Sequence, residues 1–182
     1  ALAVLAAVAT ILLALPVGVL AARFRSRTSI AIERTTYVAH ALPGIVVDET
    51  AAELVGEWQY STHTPPYVGL GYLHDMKAGK GAKSVTFTPE LPMAGWYEVR
   101  LAHCHNIRRA TNIPVTIHHA DGDTTVRINQ QEEPPHDHLF RTLGAFRFEA
   151  GRKGWVRVSN EGTEASKVVI ADAVQFLPAA GK

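Results

Sequence analysis

The stretch PVTIHHADGDTTVRIN, Pro114 to Asn129, decides the fold class. Val115 and Ile117 alternate with Thr116 and His118, and Val126 and Ile128 alternate with Thr125 and Arg127. That period of two belongs to half-buried strands. Between the two runs stands Ala120-Asp121-Gly122-Asp123, where Gly122 supplies the positive φ that a tight hairpin requires. Two antiparallel strands, Pro114 to His119 and Thr124 to Asn129, are therefore expected.

The same alternation recurs in Ser84 to Thr88, Trp96 to Ala102, Leu143 to Glu149, Trp155 to Asn160 and Lys167 to Leu177, with Ile45 to Asp48 as a further short run. About eight short strands, punctuated by Gly, Pro, Asn and Asp, predict an all-β fold, an antiparallel jelly-roll-like β-sandwich. After residue 50 only Ala51 to Leu54 has helical spacing, a single turn at most, which excludes a parallel βαβ sheet. The expected core contains Val85, Phe87, Tyr97, Val99, Leu101, Val115, Ile117, Val126, Ile128, Phe146, Phe148, Val156, Val158, Ile170, Val174 and Phe176. Glu57 to Lys83 carries Pro65, Pro66 and four glycines, Gly69, Gly71, Gly79 and Gly81, so an ordered loop or sheet edge is expected there rather than a central strand.

A chain of 182 residues suits one domain with an appendage, and 47% hydrophobic against 19% charged residues rules out global disorder. The net charge of +1 argues against a polybasic nucleic-acid binder, so no nucleic-acid partner is expected. Cys104 is the only cysteine, which excludes an intramolecular disulfide and a Cys-rich zinc site.

Ala1 to Ala22 has no charged residue and is long enough to cross about 30 Å of hydrocarbon as a helix, so a transmembrane helix with a membrane partner is expected at residues 1–22. Arg23, Arg25 and Arg27 follow the apolar run rather than precede it, the wrong flank for a secretory signal. Positive-inside logic places that flank in the cytoplasm. The lack of an initiator Met suggests that the start lies upstream. Residues 1–47 carry four arginines against one glutamate while the remainder is slightly acidic, as if two pieces were joined. The expected organisation is a transmembrane-like helix with its basic flank (1–27), a linker (28–47) and a β-sandwich domain (48–180).

IERTTYVAHALPGIVV, Ile32 to Val47, preceded by RFRSR, resembles the permease subunit of iron(III)-type binding-protein-dependent ABC transporters. A transport fragment is the alternative function that this implies. Where that family continues into another apolar helix, this chain turns to Asp48-Glu49-Thr50, so transport by these residues is not expected.

Four ordered blocks carry a second resemblance: GEWQYSTHTPPYVGLGYLHD (Gly56 to Asp75), KSVTFTPELPMAGWYEVRLAH (Lys83 to His103), RATNIPVTIHHADGDTTVRINQQ (Arg109 to Gln131) and VIADAVQFLP (Val169 to Pro178). Together they resemble the golvesin C-terminal and xanthan-lyase carbohydrate-binding-domain-like family over residues 45–178. The resemblance implies a non-catalytic accessory β-sandwich of secreted polysaccharide-active proteins or of FAD-dependent oxidoreductases. Its implied partners are a polysaccharide or a catalytic domain packed beside it, and its implied location is extracytoplasmic, although the chain as written would be membrane-associated. No GxGxxG fingerprint occurs, and no cofactor is expected. The two resemblances share Gly44-Ile45-Val46-Val47, which suggests a recombined or truncated reading frame.

Eight of the nine histidines lie after residue 47, including His103-Cys104-His105, His118-His119 and His136-Asp137-His138. In a strand only i and i+2 share a face, so each group offers two imidazoles at most, and hydrogen-bonded loop histidines are expected rather than a metal site. Cys104 reads as a buried, inert thiol. The pairs Glu132/Glu133 and Asp121/Asp123 stand in turn-rich segments, where carboxylates solvate the turn. Asp172 interrupts the apolar face of Val168, Ile170, Val174 and Phe176, so it must be hydrogen-bonded or paired if buried; Arg109 is a possible partner with Asn112 assisting. Trp58, Tyr60, Tyr67 and Tyr72 either stack on sugar rings or close the end of the sandwich as a lid. The candidate ligand-binding set is Tyr60, Tyr67, Tyr72, Arg109 and Asn112. A chain cut to residues 44–182 is expected to fold cooperatively without detergent, with β-type circular dichroism and a single melting transition; aggregation would contradict the two-piece reading.

Overall fold

The structure is a computed structural model that describes residues 44–180. Twelve strands form three antiparallel sheets. The first sheet has the order β1 (Ile45–Asp48), β12 (Ala173–Ala179), β6 (Gly95–Ala102), β9 (Phe140–Phe148). The second runs β2 (Glu53–Val55), β5 (Ser84–Phe87), β10 (Trp155–Ser159), β7 (Ile113–His119), β8 (Gly122–Ile128). A small third sheet runs β11 (Ile170–Ala171), β4 (Tyr72–His74), β3 (Gln59–Ser61).

The two larger sheets share one core, as a β-sandwich does. Tyr97, Val99, Leu101, Val174 and Phe176 from the first belong to the same buried cluster as Val85, Phe87, Val115, Ile117, Val156 and Val158 from the second. The intervening Glu98, Arg100, Thr116 and Arg157 are not buried, so the strand period directly separates the dry face from the wet one. Phe148 meets Tyr97 and Phe176 edge to face, with ring centroids 6.0 and 5.6 Å apart. Of the expected core, Val126 and Phe146 are only partly buried, and Ile170 joins a second small cluster with Tyr72 and Cys104. The hairpin closes through Ala120-Asp121, with Gly122 at φ 116°.

Three expectations are corrected. Lys167 to Leu177 is not one strand. Val168 pairs with the Arg108–Ala110 loop, β11 is two residues long, and the chain breaks at Asp172 before β12. Glu57 to Lys83 is not wholly loop: it contributes β3 and β4, and β4 is the centre of the small sheet. The helical turn lies at Glu49–Ala51 as a 3-10 helix capped by the Asp48 carboxylate, while Glu53–Val55 is a strand.

Among the described residues no helix is long and apolar enough to cross a membrane. The transmembrane reading of residues 1–22, the basic flank and the permease-like segment up to residue 43 lie outside the described residues.

Phe148→Ala should cost about 3–5 kcal/mol, because truncation leaves a cavity between two edge-to-face rings in a closely packed core. Urea denaturation monitored by tryptophan fluorescence checks this; a loss below about 1 kcal/mol, the level of an ordinary surface substitution, would contradict the packing described.

Candidate functional site

The small sheet carries most of the residues of interest. On β3 successive side chains point to opposite faces, so Tyr60 and Ser61 are separated. Ser61 Oγ donates to the Tyr72 hydroxyl at 3.3 Å. Tyr60, 48% exposed, lies over Gly71. A Cβ at Gly71 would fall 2.7 Å from the Ser61 carbonyl oxygen and would also meet the Tyr60 ring, so glycine is required at that close approach.

Tyr72 is not an exposed platform. Its ring is only 2% exposed, packs with Cys104 and Ile170, and has Tyr67 tilted against it at 6.1 Å. The Arg109 guanidinium carbon stands 5.4 Å from the Tyr72 ring centroid, and Arg109 Nη2 donates to the Tyr72 hydroxyl at 3.2 Å and to Cys104 Sγ at 3.4 Å. Arg109 is 7% exposed, its Nε has no partner, and its carbonyl accepts from Gln131 Nε2. Asn112 belongs elsewhere, with its side-chain amide donating to the Gly162 carbonyl at 2.8 Å. Trp58 packs on the core and donates to the Val55 carbonyl, as a lid does.

Tyr72 and Arg109 stand in the wall of an open depression of about 330 Å³. His63, His74, Lys77 and Arg108 also line it, and among the described residues no Asp or Glu does. His74 Nδ1 accepts from the Met76 amide, and burial together with the Arg109 charge holds this imidazole below its ordinary pKa and so neutral near pH 7. Ser61, Thr64 and Asn106 add hydroxyl and amide groups. A second depression, about 590 Å³, lies along the outer face of the five-stranded sheet and includes Arg127, Arg157 and Glu161. Two residues before Arg157 on β10, outside that lining, the Trp155 ring is engaged by His118, stacked at 5.1 Å, and by the Arg157 guanidinium at 4.4 Å. The alternation over Trp155 to Asn160 marks Trp155 only as a strand residue; its pairing with His118 depends on register across the sheet.

Asp172 does not pair with Arg109. Its carboxyl, fully buried, accepts from the Val68 amide at 3.2 and 3.3 Å and ties the β3–β4 loop to the chain between β11 and β12. Burial lifts its pKa to about 8 against the opposing pull of the Val68 amide, with the Glu49 and Asp48 charges adding to the rise. Glu49 is 4% exposed, and burial, together with its side-chain contact to the Asp48 carboxyl, lifts it to about 7. His103 is fully buried with neither ring nitrogen partnered, and burial next to Arg141 and His105 lowers it to about 3.

Cys104 is buried and its thiol is pushed up by burial, which suits packing rather than nucleophilic attack. The carboxylates of the turn-rich segments face neighbouring basic side chains: Asp121 and Arg147, Glu132 and Arg141, Glu133 and His138. Among the described residues no three His, Cys, Asp or Glu side chains gather into a metal-ligating group.

Residues 45–178 match the Golvesin C-terminal domain family. The chain belongs to that family. A "Xanthan lyase" of Bacillus sp. (strain GL1) is 39% identical over 141 residues, which cover 75% of this chain and 15% of that protein. The structure of Paenibacillus xanthan lyase matches with a TM-score of 0.70 at 34% identity, covering 75% of this chain and 13% of that one. This golvesin-type domain thus corresponds to a small part of those enzymes. A family 35 carbohydrate binding module from Clostridium thermocellum is matched along its whole length, with a TM-score of 0.51 at 11% identity over 76% of this chain, and shares the fold.

The buried ionisable groups give the golvesin-type domain a definite pH profile. Asp172 and Glu49 hold protons when folded that the unfolded chain, near its ordinary values of 3.8 and 4.5, has released. Their stabilisation is complete below those values and is lost as pH rises through about 7 and 8. His103 acts oppositely, since the unfolded chain takes up a proton below 6.5 that the folded ring refuses until about 3. Between 6.5 and 8 only the carboxyls contribute, so the melting temperature should fall over that interval. Asp172→Asn, whose side-chain carbonyl still accepts from Val68, should flatten the decline; an unchanged slope would contradict a protonated Asp172.

Proposed function

We propose that this domain is a non-catalytic accessory module that binds carbohydrate within a larger polysaccharide-active protein. The observation that carries the reading is the open polar depression at Tyr72 and Arg109 on a sandwich with xanthan lyase among its relatives. Guanidinium, amide and hydroxyl groups around a shallow opening suit the hydroxyls of a sugar chain. The buried Cys104 and the turn carboxylates Asp121 and Glu132, paired with Arg147 and Arg141, favour binding over catalysis. Packing against a catalytic partner domain and an extracytoplasmic setting accompany this reading, as does an oxidoreductase-type parent. The permease reading of residues 1–47 has only its sequence resemblance behind it.

Tyr60 and Tyr67 retain exposed surface outside the lining of the depression, so they offer stacking rings only to a sugar chain that extends beyond it, whereas Tyr72, in its wall, presents mainly its hydroxyl. Affinity electrophoresis of the full chain against a panel of neutral and acidic bacterial polysaccharides should show retardation. Tyr60→Ala or Tyr67→Ala should lessen it while changing stability by no more than about 1 kcal/mol. Absence of retardation across the panel would leave packing beside a catalytic domain as the better account, and loss of stability in place of binding would make the rings a lid.

A further inference from the structure

Among the described residues Arg109 is a buried cation without a counter-ion. It is 7% exposed, and its partners are the Tyr72 hydroxyl and the Cys104 sulfur, both neutral. The Nε has none. Removing a guanidinium from water costs several kcal/mol unless an anion or a full set of acceptors compensates. The carboxyl that the sequence suggested for this purpose, Asp172, bonds to Val68 instead.

The surroundings repeat the imbalance. Arg108 and Lys77 add two more positive charges to the depression, His63 and His74 add imidazole donors, and no carboxylate of the described residues lines it. Elsewhere in the described domain Lys80 is matched with Asp75, Arg100 with Glu98, Arg141 with Glu132 and Arg147 with Asp121, whereas Arg127 and Arg157, in the second depression, have no carboxylate partner among the described residues but are not buried. What sets this opening of about 330 Å³, large enough for a sugar residue, apart is the buried guanidinium in its wall. The rim also supplies Ser61, Thr64 and Asn106, neutral groups that hydrogen-bond sugar hydroxyls.

We propose that this depression takes the carboxylate of an acidic sugar residue, with Arg109 as the direct partner and Arg108 and Lys77 drawing the anion in. The inference rests on the carbohydrate-binding reading and narrows it to sugars that carry a carboxylate. A planar carboxylate matches the flat, forked donor edge of a guanidinium.

The test is calorimetric titration of the full chain with an oligogalacturonate and with the same oligosaccharide after its carboxylates have been reduced to hydroxymethyl groups. The acidic form should bind at least about tenfold more tightly, the discrimination expected for a charge-assisted contact in a partly dry site. The preference should shrink as sodium chloride is raised from roughly 20 to 200 mM, where surface charges become screened. Arg108→Gln and Lys77→Gln, both at exposed positions, should weaken binding of the acidic form several-fold and that of the reduced form by clearly less, so that the preference between the two shrinks. Arg109→Lys keeps the charge but loses the fork, and should abolish most of the preference. Melting temperatures of all variants, read alongside, identify any loss that comes from unfolding, and the two exposed variants decide the matter if Arg109→Lys unfolds. Equal binding of the two oligosaccharides, or no response to Arg108→Gln and Lys77→Gln together, overturns the inference while leaving carbohydrate binding in place. Binding of dextran sulfate as tight as that of the oligogalacturonate overturns the carboxylate assignment in favour of unspecific attraction. If neither the reduced nor the acidic form binds, and no member of the polysaccharide panel does either, both readings fall.

Discussion

The fully buried carboxylate of Asp75 holds together the part of the molecule where the small sheet leaves the sandwich. Oδ1 accepts from the amides of Lys77 and Val169, both at 3.0 Å, and Oδ2 accepts from Lys80 Nζ at 2.7 Å and Asn160 Nδ2 at 3.2 Å. Burial alone would raise its pKa, but these donors outweigh burial and hold it below the ordinary carboxylate value. A buried anion left unpartnered would be strongly destabilising, so the donors must all be in place together. One side chain thereby couples the end of β4, the turn after it, the end of β10 and the approach to β11.

Asn160 extends the same network. Its Oδ1 accepts from the amides of Gly81 and Lys83, while Nδ2 donates to the carbonyls of Ala78 and Gly79. Lys83 Nζ closes the circuit on the Asp75 carbonyl at 2.9 Å. A glycine-rich segment without its own secondary structure thus has its polar backbone groups satisfied by side chains, as a partly buried loop requires. Gln130 does the equivalent for β11, accepting from the Ile170 amide and donating to the Ile170 carbonyl in place of a neighbouring strand. These bonds position Val168, β4 and the Arg109 loop around the depression.

The depression therefore depends on buried polar groups of two opposite kinds. Asp75 has its full complement of donors, and Arg109 lacks an anion. Glu49 and Asp172 meet burial in a third way, by retaining a proton near neutral pH. The apolar core follows the strand period throughout, while Asp75, Arg109 and Asp172 bring buried polar groups to the loops that join the small sheet to the rest of the domain.

The sandwich was legible in the sequence because side-chain period and burial are tied together locally. Val115/Ile117, Tyr97/Val99/Leu101 and Val156/Val158 alternate in the text and lie buried in the structure for the same geometric reason. Gly122 likewise announced its turn. The site was legible only in part. Tyr72 and Arg109 do come together, but Tyr60 lies on the other face of β3, Asn112 points to Gly162, and Asp172 bonds Val68 rather than Arg109. Partners separated by 37 residues, as Tyr72 and Arg109 are, or by 104, as Val68 and Asp172 are, leave no periodic trace. The sequence by itself determined the strands, the core and the kinds of polar group available. Only the tertiary structure decided which buried charges found partners, because that depends on strand order and register across three sheets rather than on neighbours along the chain.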